Sequence, residues 1–130
     1  MQTYPLTSLG TLLSLLVFFW TAWLVGRART KYQVHAPAMS GHEMFERAFR
    51  IQMNTLEQLV FMLPALWLCA VWIGDRYAAL GALVWCIGRI VYGTTYLKDP
   101  KKREFGFVLT ITPSMVMLVA AAVFVVKSLV

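Results

Sequence analysis

The stretch EMFERAFRIQMNTLE, residues 43–57, decides the architecture. Glu43, Arg47, Arg50, Asn54 and Glu57 follow one another at spacings of four, three, four and three. At 100° per residue their side chains fall within about 80° of arc, a single stripe along one helix. The other faces carry Phe45, Phe49, Ile51, Met53, Leu56 and Leu59, and apolar sequence continues to Ile73. A helix from Met44 to Ile73 is about 45 Å long, against about 30 Å for a bilayer core. With Trp72 at one interface, the membrane boundary falls near Met53 and the first turns project beyond it. Charges beside lipid are costly unless they face protein or a wet cavity. The stripe therefore points into a helix bundle or a subunit interface.

Composition agrees with a membrane setting. Of the 130 residues, 59% are hydrophobic and 14% charged, with a mean hydropathy of +0.65. A soluble domain carries about 25% charged residues, so neither a soluble globule nor a disordered chain fits. Four stretches are apolar enough to span: about 5–25, 44–73, 77–97 and 105–126. The expected fold class is an all-α integral membrane protein, one four-helix up–down antiparallel bundle over residues 1–130. Pro113 should kink the last span, which membrane helices tolerate. The first span has no preceding Lys or Arg and is too long for a signal-peptide core, so it reads as an uncleaved helix.

The net charge of +6 is not a nucleic-acid signature. Arg27, Arg29 and Lys31 follow the first span, and Lys98, Lys101, Lys102 and Arg103 follow the third. Both loops lie on one side of a four-span protein, which makes that side cytoplasmic and both termini non-cytoplasmic. Cys69 and Cys86 lack zinc or disulfide spacing. His35 and His42 have no metal-site pattern, and no phosphate loop is present, so neither metal nor prosthetic group is expected.

The third span brings Ala78, Gly81, Ala82, Trp85, Arg89, Tyr92 and Tyr96 to one face, small at one end and polar at the other. Arg89 lies inside the membrane and needs a partner, for which Glu57 is the candidate; structural and ligand-binding roles weigh equally for it. Tyr92 and Tyr96 also fit an interfacial aromatic belt. Thr7, Gly10, Thr11, Ser14 and Thr21 give the first span a small, weakly polar packing face. A purely structural reading of the stripe pairs Glu43 with Arg47 and Arg50 with Glu57, leaving Asn54 as an interhelical hydrogen-bonder. A functional reading collects Arg47, Arg50, Asn54, Glu57, Tyr92, Tyr96, Arg29 and Arg103 around a small, flexible, mainly anionic ligand. Arginines fork onto carboxylates, and Glu57 could receive an ammonium. Glutathione carries two carboxylates, an ammonium and amides, and suits that set.

Residues 45–57 resemble the FERxxRxQxNxxE signature of the MAPEG family, the membrane-associated proteins in eicosanoid and glutathione metabolism. The run Gly88-Arg89-Ile90-Val91-Tyr92-Gly93-Thr94-Thr95-Tyr96 is similar to the family's RxxYxxxY segment. The four spans and a basic first loop ending in a proline such as Pro37 extend the resemblance over essentially the whole chain. It implies a homotrimer with glutathione bound between subunits toward the cytoplasm. Arg50, Asn54, Glu57, Tyr92 and Tyr96 match glutathione-contacting positions, and Gln52 matches one used in some members. Arg29 matches an arginine reaching the ligand from a neighbouring subunit, and Arg103 the arginine proposed to stabilise the thiolate. Arg47 and Arg89 join the glutathione-binding set. Thr30 departs from the second arginine of the eicosanoid synthases, and Lys98 replaces an arginine of some members.

The implied activity is that of a detoxifying glutathione transferase, with peroxidase chemistry on lipid hydroperoxides as an extension. Glutathione would be the substrate, and a lipophilic electrophile would arrive from the membrane lipid. A non-catalytic lipid- or glutathione-binding protein and a small transporter coupled through Glu57 are the competing readings. Ends without a retrieval tail favour a bacterial inner membrane over the endoplasmic reticulum.

Overall fold

A computed structural model describes residues 2–130. Four long helices follow in order: α1 over Pro5–Tyr32, α2 over Glu43–Trp72, α3 over Asp75–Lys98 and α4 over Glu104–Leu129. One turn of 3-10 helix, Pro100–Lys102, precedes α4. All four are long and apolar enough to cross a membrane, and no strand occurs among the described residues.

Local chemistry explains the ends. Pro5 opens α1, where a missing N–H costs nothing. Gln33 closes it in the left-handed conformation at φ 54°, with Val34 N donating to Arg29 O at 3.1 Å. At the start of α2, His42 Nδ1 accepts from Met44 N at 3.1 Å. Glu43 and Glu46 place negative charge in that first turn, where the helix dipole favours it. Pro64 and Pro113 lie inside α2 and α4, and both helices continue through them.

The interior is built from large apolar side chains and close helix approaches. Trp85, Phe45, Ile51, Met62 and Leu66 are fully buried. Thr7, Gly10, Ser14 and Thr21 of α1 are buried too. A Cβ on Gly10 would lie 2.7 Å from Ala82 Cβ, so this face of α1 sits directly against α3. Ser14 and Thr21 satisfy their hydroxyls on Gly10 O and Phe18 O. At the start of α3, the Asp75 carboxylate accepts from Leu6 N at 3.0 Å and from both Thr7 N and Thr7 Oγ1 at 2.7 Å. It thereby caps α1 at the end of the bundle carrying Gly74. The outward faces remain apolar, with Leu16, Phe19, Val60, Ile87, Val116 and Val119 exposed. In water such a surface would drive association; in a bilayer it is the lipid-facing surface.

Candidate functional site

The polar residues gather where α1 and α3 end and α2 and α4 begin. α4 is brought against α3 there by Gly106, whose position leaves no room for a side chain. A Cβ on Gly106 would meet Tyr92 N and Cα at 2.5 Å. One turn earlier stand Arg103 and Glu104. Between them and α2 lies a cleft of about 440 Å³, lined by Arg50, Asn54, Tyr92, Arg103, Glu104, Phe107 and Val108. Two guanidiniums, an amide and one carboxylate thus share a space with apolar walls on one side.

The stripe on α2 divides. Arg50 and Glu57 approach only to 4.0 Å, with each side chain 57% exposed, so the pair is loose. Arg47 is engaged elsewhere. It pairs with Glu43 and donates to Leu97 O at 3.0 Å and Lys98 O at 3.4 Å. These are carbonyls at the end of α3 that have no helical N–H to accept from, so Arg47 caps that helix. Both ion pairs of the structural reading are therefore formed, but only one is close.

Arg89 is fully buried, and its partner is not Glu57. It donates from Nη1 to Asn54 Oδ1 at 3.0 Å and from Nη2 to Thr55 Oγ1 at 2.8 Å. The reason is angular: Thr55 and Glu57 project about 200° apart around α2. Thr55 is buried towards α3, while Glu57 is exposed. The guanidinium carbon of Arg89 also sits 4.1 Å from the centre of the Tyr92 ring, a cation–π distance.

Of the residues expected at the site, Arg50, Asn54, Tyr92 and Arg103 are brought to one cleft. Tyr96 is buried behind it, its ring 5.6 Å from that of Tyr92. Gln52 is half-buried, away from the lining. Arg29 donates to Ala38 O at 2.8 Å and Val34 O at 3.3 Å and lies 4.7 Å from the Phe45 ring centre, pinning the segment between α1 and α2. Within one chain it does not reach the cleft. Glu104, Phe107 and Val108 line the cleft without having been singled out from sequence. Their spacing with Arg103 was the available signal, because positions 103, 104, 107 and 108 share one face of a helix.

Val108 also borders a second, apolar groove of about 540 Å³ between α3 and α4, whose walls include Leu80, Val84, Leu109, Pro113 and Met117. The apolar groove and the polar cleft thus share Val108 as a common wall. Among the described residues, no three His, Cys, Asp or Glu side chains cluster closely enough to hold a metal ion.

Comparison with known proteins adds an independent finding. The MAPEG family model matches residues 7–123. An uncharacterized protein of Synechocystis sp. is 46% identical over 116 residues, covering 89% of this chain and 82% of that protein. Microsomal glutathione S-transferase 2 of Mus musculus is 35% identical over 108 residues, 79% of this chain and 74% of that protein. Leukotriene C4 synthase of Cavia porcellus is 33% identical over 93 residues, 72% of this chain and 62% of that protein.

Proposed function

Since this chain belongs to the MAPEG family, we propose that it is a glutathione transferase that binds glutathione in the polar cleft and directs its thiolate at lipophilic electrophiles. The chain is an integral multi-pass membrane protein that uses glutathione, as its relatives' names and its four spanning helices support. The observation that carries the finer reading is the cleft itself: Arg50 and Arg103 face one space with Asn54 and Tyr92, next to an apolar groove.

The roles follow from charge and geometry. Arg50 offers a planar fork for a carboxylate, and Asn54 an amide for the peptide backbone of the ligand. Arg103 stands across the cleft from them, at the start of α4. An ordinary thiol with a pKa near 8.5 is only about 3% ionised at pH 7. A guanidinium that lowers it by about two units favours the thiolate by about 2.7 kcal/mol and makes it the major form. The thiol proton passes to water at the cleft mouth. The sulfur lone pair then forms a C–S bond as the leaving group departs with its electrons, or as an epoxide opens. With a lipid hydroperoxide, the thiolate attacks the terminal oxygen and an alcohol leaves after taking up a proton. The sulfenic acid so formed reacts with a second glutathione, giving the disulfide and water.

Assembly belongs to the same reading. Arg50 and Glu57 are more than half exposed, and Glu57 lies on the membrane side of the boundary expected near Met53, where a charge needs protein or water around it. A homotrimer would cover them and would let Arg29 reach the site from a neighbouring subunit, with Tyr96 backing Tyr92 from within the same chain. The Asp75 bonds to the start of α1 and the short α2–α3 turn support an up–down antiparallel bundle. The two basic segments support a cytoplasmic cleft.

Calorimetry in mild detergent tests the binding step. Wild type and Arg76→Ala, altered at the opposite end of the bundle, should bind glutathione alike, and Arg50→Ala should not. Equal binding by Arg50→Ala with the oligomer intact would leave the stripe a structural feature only.

A further inference from the structure

The most unusual side chain in the molecule is Arg89. It is completely buried, yet the ion pairs among the described residues are Arg47–Glu43 and Arg50–Glu57, so no carboxylate neutralises it. Its charge is met by Asn54 Oδ1, Thr55 Oγ1 and the face of Tyr92, and its Nε–H has no partner. Thr55 completes the chain by donating to Ile51 O at 2.7 Å. A buried cation held this way is expensive, and packing alone would be served better by an apolar side chain. Two of its three supports, Asn54 and Tyr92, are walls of the polar cleft, while Arg89 is not.

We infer that Arg89 is a positioning residue that fixes what Asn54 presents to the ligand. A guanidinium has donors only, so the Asn54 amide must turn its oxygen toward Arg89. Its NH2 group then faces the cleft, which receives donors and no acceptor from this residue. The ligand atom seated there must be an acceptor, either a carboxylate or a peptide carbonyl oxygen. Against the Tyr92 ring, the same cation holds the opposite wall in place and adds positive potential beneath the site. The assignment deepens the glutathione reading and rests on it: Arg89 acts through Asn54 and does not touch the tripeptide.

A double-mutant cycle read by calorimetry with glutathione tests this, alongside thermal midpoints of the detergent-solubilised oligomer. Losing one oriented hydrogen bond to a charged or polar acceptor corresponds to about tenfold in affinity. Asn54→Ala and Arg89→Met should each weaken binding by about that factor. The double variant should be about tenfold weaker and not about a hundredfold, since the two losses are one interaction. Asn54→Asp supplies a readout that a structural role would not move. Its carboxylate would pair with Arg89 and keep or raise the thermal midpoint, while placing an acceptor in the cleft and weakening glutathione at least as much as Asn54→Ala. Multiplying losses in the double variant, or unchanged affinity in Asn54→Asp, would overturn the positioning role and leave the glutathione site standing. Should Arg89→Met fail to accumulate, Arg89→Gln, which can accept as well as donate and so no longer dictates the Asn54 orientation, takes its place in the cycle. Absence of binding by the wild type would overturn the glutathione reading, and this inference with it.

Discussion

Replacing Gly106 with alanine is the sharpest test of how the fold sets the cleft. The added Cβ would lie 2.5 Å from Tyr92 N and Cα and 2.8 Å from Tyr92 Cβ. Two of those atoms are backbone, so no rotamer change relieves the clash. Ordinary carbon contacts begin near 3.5 Å, so the start of α4 must retreat from α3 by roughly 1 Å. Overpacking of this kind costs about 1–3 kcal/mol, and Tyr92 and Arg103 are the residues displaced. A misplacement of about 1 Å in a reacting geometry can lower turnover about a hundredfold. The assay is the absorbance change on conjugating glutathione to a small aryl halide, with thermal unfolding followed in parallel. Gly106→Ala should lose stability, and its kcat should fall by one to two orders of magnitude. Gly26→Ala is the control, because nothing lies within 4 Å of its new Cβ; helix propensity alone should make it neutral or slightly stabilising, by up to about 1 kcal/mol. Unchanged stability and activity in Gly106→Ala would refute the tight α3–α4 approach. Lost stability with full activity per folded protein would refute the claim that this approach sets the catalytic geometry.

Asp75→Ala should lower the thermal midpoint by releasing the start of α1, yet leave glutathione affinity unchanged. Asp75 lies about 25 Å along α3 from Tyr92, and a change in affinity would contradict that separation. Arg47→Ala should mainly destabilise the fold by orphaning the Leu97 and Lys98 carbonyls; a selective loss of glutathione binding at full stability would return it to the ligand set. Glu104, not Glu57, is the carboxylate lining the cleft, so Glu104→Gln should reduce affinity for glutathione more than for an analogue lacking the amino group, and equal losses would assign it to the helix terminus alone.

The sequence carried the helices and the polar face of α2, because both depend on periodicity within one element. It did not carry which neighbour each side chain of that face would meet. Arg47 and Arg50 share the stripe, yet one caps α3 and the other opens onto the cleft, a difference set by the contours of α3 and α4. Pairing Arg89 with Glu57 followed opposite charge, whereas the rotation of α2 places Thr55 and Asn54 against it. Arg29 illustrates a further limit: a helix-terminal arginine can fold back onto its own loop, and Val34 O and Ala38 O became available only once that loop had closed. The face formed by Arg103, Glu104, Phe107 and Val108 was legible by spacing. It gained meaning only when Gly106 was seen to draw it against Tyr92.

Thiolate absorbance in the ultraviolet tests the central claim most directly, since it reports the ionised sulfur itself. Glutathione added to the detergent-solubilised wild type near neutral pH should produce that absorbance at saturation. Lys102→Ala should keep it, and Arg103→Ala should lose it while retaining most of the affinity for glutathione. Bound glutathione that stays protonated in the wild type, or a thiolate signal of undiminished size in Arg103→Ala, would contradict the account.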